Sequence, residues 1–394
     1  MTTKKAYLIE SLAPLVFRSG KPFGAQSSRQ DVVFPLPSSS AGLIRALSIE
    51  QSNEQYQEYA NKLANEDYQK LLSITSQGPF LVRFNPRQEN YTILVPKPAN
   101  ALYLEDKDSK KVKLVRLQPE AFDEHLCGCD LPEGLLPIQP KEKDLKGKPQ
   151  SGANYWTLQH LLEWQQDDKS LDFKTVNDEG LSSIPLDIRT HVALDDETLS
   201  SEEGKLFQTT SFDLGYNKLK TGGWSAERYG FLVVSEQQLN NDLASFGGER
   251  RLSNIKPIET QPLPQIPAGL VDAINQASGF TLTLLTPSIF TQGYLPDWIN
   301  KANLKGLLPK STIEVKLKGV AIDRWLPVSG WDSIEWKPKA TRKAVAAGAV
   351  YWFELCNPID EKTLQQLWLT PLADHIQDQR DGFGVGILAS WNSI

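Results

Sequence analysis

Four prolines crowded between residues 257 and 267 (Pro257, Pro262, Pro264 and Pro267) constrain this chain more than any other feature. Proline has no amide to give to a strand ladder and clashes inside a helix, so such a stretch reads as a linker between two halves. With long polar stretches set aside, the apolar pattern on each side falls into the order strand, helix, strand, strand, helix, strand. In the first half Lys4–Glu10 alternates as a strand. Leu43, Ile44 and Leu47 then mark a helix that Ser38, Ser39 and Ser40 open as an N-cap. Phe80–Phe84 and Tyr91–Val95 read as a strand pair, Tyr229–Val234 as a buried strand, Ser235–Ala244 as a helix and Arg250–Ile258 as a further strand. Beyond the prolines, Phe280–Leu285, Thr312–Ala321 and Ala349–Leu355 are strands. Lys362–Leu369 is a helix capped by Asp360, and Phe383–Trp391 is a last strand entered through glycines.

This order predicts an α+β fold of two ferredoxin-like (RRM-like) domains with antiparallel sheets, residues 1–260 and 261–394. The open face of such a sheet is a common RNA platform. Residues 50–180 read as a large insertion, loop-like from Asp106 to Gln150 around five prolines, with the helix Thr157–Gln166 inside it. Ile184–Ala193 and Lys205–Phe212 form a hairpin with a long acidic tip.

Charge and length exclude several classes. The 394 residues carry 48 acids and 42 bases, a net charge of −6, so the chain cannot coat nucleic acid with its whole surface, although a local basic groove remains possible. The longest nearly apolar run, Ala344–Phe353, has ten residues, far short of the ~20 that a membrane helix needs. The opening MTTKKAYLIES has no apolar core of signal-peptide length. Three cysteines in a chain this long suggest a reduced, cytosolic protein. His125, Cys127 and Cys129 cluster, but without the spacing of a zinc knuckle or a second cysteine pair, so no metal or other cofactor is expected. No catalytic triad order is recognisable.

Several groups are suited to RNA, each with a plainer alternative. Ser38–Ser40 at a helix start, with Arg18 and Lys21 on the neighbouring loop and Arg45 one turn on, suit a phosphate; an ordinary N-cap explains the serines equally well. Arg189 and His191 share one face of a strand and suit phosphate and base; the alternative is a salt bridge to Asp187 or Asp195 and a surface histidine. Arg250 and Arg251 follow two glycines that allow close backbone approach; adjacent strand residues face opposite ways, so one of them, taken as Arg250, is the RNA candidate, and Glu249 can neutralise either in a structural ion pair. Lys339, Arg342 and Lys343 are the densest basic cluster and read as a loop before an apolar strand. Gly382, Gly384 and Gly386 permit close approach of either RNA or packed protein; no helix follows them, so they are not a dinucleotide fingerprint. Seven of the ten tryptophans lie after the linker; Trp331 and Trp336 could stack on bases, whereas Trp352 belongs to a core.

Four segments together resemble one family: LAPLVFRSGKPFG with VFPLPSSSAGLIRAL (Leu12–Leu47), IRTHVALDDETLSSEEGKLF (Ile188–Phe207), FGGERR (Phe246–Arg251), and SGWD, PKATRKAVAAGAVYWFEL and GFGVGILASW between Ser329 and Trp391. In this order they are similar to the third Cmr subunit of type III-B CRISPR RNA-silencing complexes, within the RAMP superfamily. The resemblance implies a non-catalytic scaffold that holds the 5′ repeat-derived handle of the crRNA. It implies docking to the large Palm-domain subunit and to backbone RAMP subunits, indirect contact with target RNA, and a thumb hairpin at the handle–guide junction, placed here at about residues 189–207. Residues 50–180 carry none of it. One rival is a metal-independent RAMP endoribonuclease that processes precursor crRNA, with His191 as general base. Another is a pure protein scaffold that uses Lys339, Arg342 and Lys343 for assembly.

Overall fold

The computed structural model describes residues 4–18, 32–52, 65–122, 128–143, 145–166, 171–215, 222–260, 262–332 and 337–392. It divides into two compact units that interleave along the chain. The first is Met1–Tyr91, Ile184–Gln261 and Pro327–Arg342; the second is Thr92–Ser183, Pro262–Leu326 and Lys343–Ile394. The linker prolines do separate two sheets, yet each unit also takes a segment from the other side of that boundary.

The first unit is built on β1 (Lys5–Ser11), α1 (Pro37–Glu50), β2 (Ser76–Asn85), β3 (Arg228–Ser235) and β4 (Leu252–Ile258). Within a seven-stranded sheet these four strands run β4-β1-β3-β2, antiparallel to one another, with Tyr7 opposite both Val233 and Pro257. β1 and β3 occupy the centre, and the near-continuous apolar runs Tyr7–Ile9 and Tyr229–Val234 are buried as central strands require. α1 lays Leu43, Ile44 and Leu47 into the core. Phe231, Phe246 and Phe17 meet edge to face with centroids 5.0–6.3 Å apart. The second predicted strand of the Phe80–Val95 pair lies within Gln88–Pro96.

Two local expectations fail here. No helix spans 235–244: turns lead into an edge strand, Asp242–Ser245, paired with β4. The Leu239 amide donates to the Tyr7 hydroxyl at 2.9 Å, and that hydroxyl donates to the Gln237 carbonyl at 2.6 Å. The Asn240 amide donates to the Gln51 side chain. Amides that a helix would use internally are thus held by β1 and the end of α1. The serines are not an N-cap either. α1 begins at Pro37, with Leu36 at the cap and no side-chain capping bond. Proline fits the first helical position because its missing amide has no intrahelical partner to lose.

The second unit is built on β5 (Gly279–Leu284), β6 (Glu314–Ala321), β7 (Val350–Leu355), α2 (Glu361–Leu367) and β8 (Gly386–Ser390). Its sheet runs β6-β7-β5-β8, again antiparallel. Asp360 caps α2 as expected, accepting from the Thr363 amide at 2.8 Å. Helices Leu270–Ala277 and Ile376–Asp381 were not anticipated; both are short and flanked by turn residues. Phe280, Phe353 and Trp298 stack in the core with centroids 5.2–5.4 Å apart.

Among the described residues, much of 106–150 is sheet rather than loop, although 120–122 and 128–137 lie in no strand. Ile138–Pro140, Val112–Pro119, Ala101–Asp106 and Gly147–Pro149 form a four-stranded sheet in that order. The prolines mislead because Pro119, Pro140 and Pro149 are final strand residues, where a missing amide costs little. This inserted layer covers one face of the β5–β7 sheet. Trp352, Val350, Ala321 and Trp391 cluster with Ala99 and Ile138, and the Gln165 side chain donates to Thr283 Oγ1 at 3.2 Å. A β-carbon on Gly319 would lie 2.6 Å from Pro119. The sheet face expected to be an open RNA platform is occupied by protein in this unit.

Candidate nucleic-acid interface

In the first unit a cleft of about 920 Å³ opens beside α1. Its rim carries Arg18, Ser38, Ser39, Gly247, Gly248 and Trp331. Two backbones meet tightly at its edge: the Gly248 amide donates to the Val16 carbonyl at 2.8 Å. Gly247 has φ +87°, and a β-carbon there would lie 2.7 Å from Val16 O, so both conformation and space demand glycine. Arg18 emerges exposed at this edge, 3.6 Å from Glu249. Glu249 also takes the Arg251 guanidinium at 2.9 Å. Arg251 is therefore the arginine engaged by the glutamate, and Arg250 sits exposed in a left-handed turn with φ +51°. Phe34, Leu43, Leu47, Leu243 and Leu252 give the cleft an apolar wall. A cation at the rim, hydroxyls beside it and an apolar wall below can receive a phosphate and its base together.

The other members of the predicted serine–arginine group separate from this cleft. Ser40 is fully buried, and its hydroxyl donates to the Pro37 carbonyl at 3.0 Å. Arg45 turns away: its guanidinium donates to the Ile74 carbonyl at 3.0 Å and the Leu72 carbonyl at 3.4 Å, tying α1 to the chain after the helix Asn65–Ser73. Helical spacing alone does not tell which side of α1 position 45 occupies. Lys21 lies outside the described residues. Trp331 and the pair Gly247–Gly248 complete the cleft; sequence reasoning singled out the tryptophan and the glycines' capacity for close backbone approach, but not Val16 as the partner.

The hairpin is present, with Leu186–Leu194 paired to Ser201–Phe212 and an irregularity between Ser201 and Leu206. Arg189 faces Thr209 and His191 faces Phe207, so the two predicted residues share a face. Both are already engaged. Arg189 Nε bonds Asp187 Oδ2 at 2.8 Å. His191 Nε2 lies 2.8 Å from Thr209 Oγ1, with its ring stacked on Phe207 at 5.2 Å. The residues remain exposed, so this order is a preset geometry on an accessible surface. The acidic tip is held by Asp195, which accepts from the Thr198 amide and hydroxyl and the Glu197 amide; these bonds keep its carboxyl below the usual carboxylate value.

The predicted loop is present at residues 339–341, which belong to no strand. Trp331 pairs with Pro338, and the Lys339 amide donates to the Gly330 carbonyl at 2.8 Å. Arg342 and Lys343 open a strand, Arg342–Val345, and all three cations are exposed. In the second unit, Lys343 Nζ lies 5.4 Å from the centroid of the exposed Trp325 ring. Trp352 is buried, and Trp336 lies outside the described residues. Gly382, Gly384 and Gly386 take the packing alternative. All three are buried; Gly382 ends the helix Ile376–Asp381 at φ +96°, and a β-carbon on Gly384 would lie 2.7 Å from Ser288 Oγ. RNA has no access to them within this chain.

Among the described residues no three His, Cys, Asp or Glu side chains converge as metal ligands; His125 and Cys127 are outside that set, and Cys129 and Cys356 are exposed free thiols. Among the described residues no helix is long and apolar enough to cross a membrane.

Comparison with known proteins gives three results. No curated protein sequence matches. The chain is similar to a chain of a cryo-EM structure of the Type III-B Cmr-beta bound to cognate target RNA, with 15% identity and a TM-score of 0.48, over 96% of this chain and 95% of that one. A second chain, from Type III-B Cmr-beta bound to cognate target RNA and AMPPnP in state 1, has 16% identity and a TM-score of 0.44, over 88% and 86%. The model of the family described as CRISPR-associated protein (Cas_Cmr3) matches residues 7–391, nearly the whole length. The chain belongs to the Cas_Cmr3 family of CRISPR-associated proteins.

Proposed function

We propose that this chain is a non-catalytic subunit of a type III-B CRISPR effector that grips the 5′ handle of the crRNA. In the same assembly it bridges the large Palm-domain subunit and the backbone subunits. Family membership frames the reading, and the cleft beside α1 carries it: Arg18 at the rim, the Ser38 and Ser39 hydroxyls, and an apolar wall of base-sized reach. Phosphates meet Arg18, Arg250, Lys339 and Arg342, which hold the strand without reading it. Splayed bases lie against the wall and bond the hydroxyls, which gives preference for the handle. The hairpin face of Arg189 and His191 extends the grip. Both units are read as ferredoxin-like: the orders β4-β1-β3-β2 and β6-β7-β5-β8 fit that arrangement, with α1 as crossover in the first and α2 in the second.

The test is equilibrium binding of labelled handle RNA to the full chain, alone and with its large partner. Affinity is expected to fall steeply with salt and to exceed that for a scrambled handle. Equal affinity for both RNAs refutes handle recognition. Specific cleavage of repeat RNA in EDTA, lost in His191→Ala, would instead establish the endonuclease.

A further inference from the structure

We propose that one end of the inserted four-stranded sheet is a second, sequence-independent contact for the phosphate backbone of RNA. The strands Ala101–Asp106 and Val112–Pro119 are joined by a tight turn, and Gly147–Pro149 lies against the first of them. The Lys107 amide donates to the Lys146 carbonyl at 2.9 Å, and Glu105 stands opposite Lys148. Two segments almost forty positions apart in sequence thereby bring Lys107, Lys110, Lys111, Lys146 and Lys148 to one end of the sheet. All five are exposed, and among the described residues none of them forms an ion pair. Neighbouring strands are about 4.8 Å apart, so the ammonium groups form an array rather than isolated charges.

The turn beneath them is rigid without using their side chains. Asp106 Oδ1 accepts from the Ser109 amide at 2.8 Å, the Ser109 hydroxyl at 3.0 Å and the Asp108 amide at 3.1 Å. Lys113 takes the other carboxylate oxygen at 3.1 Å. These bonds hold the Asp106 carboxyl well below its usual pKa, so the turn stays locked across the neutral range. The Asp106 carboxylate is thus committed to the turn and to Lys113.

The chemistry favours RNA over a protein. Protein interfaces are built on aromatic and aliphatic anchors and are depleted of lysine at their centres. Among the described residues no large hydrophobic side chain is exposed at this end of the sheet. Nor is a large aromatic ring exposed there among the described residues, so recognition is of charge alone. Lysine is a compact, strongly hydrated charge suited to a phosphate without bidentate geometry. In a chain of net charge −6, such a concentration marks a specific place for a polyanion.

The inference rests on the reading that the chain works on RNA, but not on handle recognition. A labelled 30-nucleotide polyuridylate, which has no handle, separates the two. For single strands the slope of log K against log salt is about −0.7 per neutralised phosphate. Changing all five lysines to glutamine in the full chain is expected to make the slope shallower by about 2–3.5, and the same positions changed to arginine should restore it. An unchanged thermal transition establishes that the variant folds. A reduced slope in a chain with no preference for handle over polyuridylate leaves this inference standing while the handle reading fails. An unchanged slope overturns it. So does intact polyuridylate binding with loss of poly-glutamate binding, which would assign the array to an acidic protein.

Discussion

The Gly248 amide donates to the Val16 carbonyl at 2.8 Å, and this contact decides where Arg18 leaves the protein. Two segments more than two hundred positions apart touch backbone to backbone because Gly247 presents no β-carbon, which would lie 2.7 Å from Val16 O. The arginine two residues on then stands at the cleft rim, opposite Ser38 and Ser39.

Gly247→Ala should therefore act on both stability and binding. A left-handed alanine costs about 1–2 kcal/mol, and the clash with Val16 O adds to it. A lower denaturant midpoint together with weaker handle binding is expected. Gly42→Ala, on the exposed face of α1 with open space around its β-carbon, should raise stability by about 0.5–1 kcal/mol. Equal effects at the two glycines would refute the account.

Arg18 and Arg45 should divide function from stability. Arg18→Ala is expected to weaken RNA binding and leave the melting temperature within error, since the glutamate it pairs with is at the surface. Arg45→Ala removes donors from the Leu72 and Ile74 carbonyls and should cost about 1–3 kcal/mol of stability. Its effect on RNA affinity, measured well below the transition, should be absent.

Glu249→Gln frees Arg18 and Arg251 from a shared carboxylate. Exposed ion pairs are worth about 0.2–1 kcal/mol, so RNA affinity at low salt should rise by up to about fivefold. The gain should shrink as salt screens the rim. Titration at 50 and 300 mM salt checks both parts; a loss of affinity would mean that Glu249 positions Arg18 rather than masking it.

Asp360 links the second unit to pH. Its carboxylate accepts from the Thr363 side chain and amide, which lowers its pKa below the ordinary value. A depressed folded pKa stabilises the protein above the unfolded value near 4, and that contribution disappears as pH falls through the folded value. Asp360→Ala should lower the melting temperature at pH 7, with the gap to the parent closing below about pH 4. Asp360→Asn, which keeps an acceptor, should lose less at pH 7.

How much of this was readable beforehand follows from the range of the forces involved. The core strands, the hairpin and the Asp360 cap were legible, because alternation with period two and capping depend on residues within a few positions of each other. The same reasoning placed Arg189 and His191 on one face. It failed at 235–244, where the hydroxyl of Tyr7, more than two hundred positions away, takes the Leu239 amide that a helix needs. It failed at the serines, where Pro37 sets the helix start and the fold buries Ser40 and turns Arg45 inward.

The sequence by itself determined the two-sheet plan, the hairpin and the family, since each is written in local periodicity or in the order of short motifs. Only tertiary structure decided which cations line a cleft, that the terminal glycines are interior, and that an inserted layer covers the β5–β7 face. Those outcomes depend on burial and on backbone contacts between distant segments, and no local pattern encodes which distant surface a residue will meet.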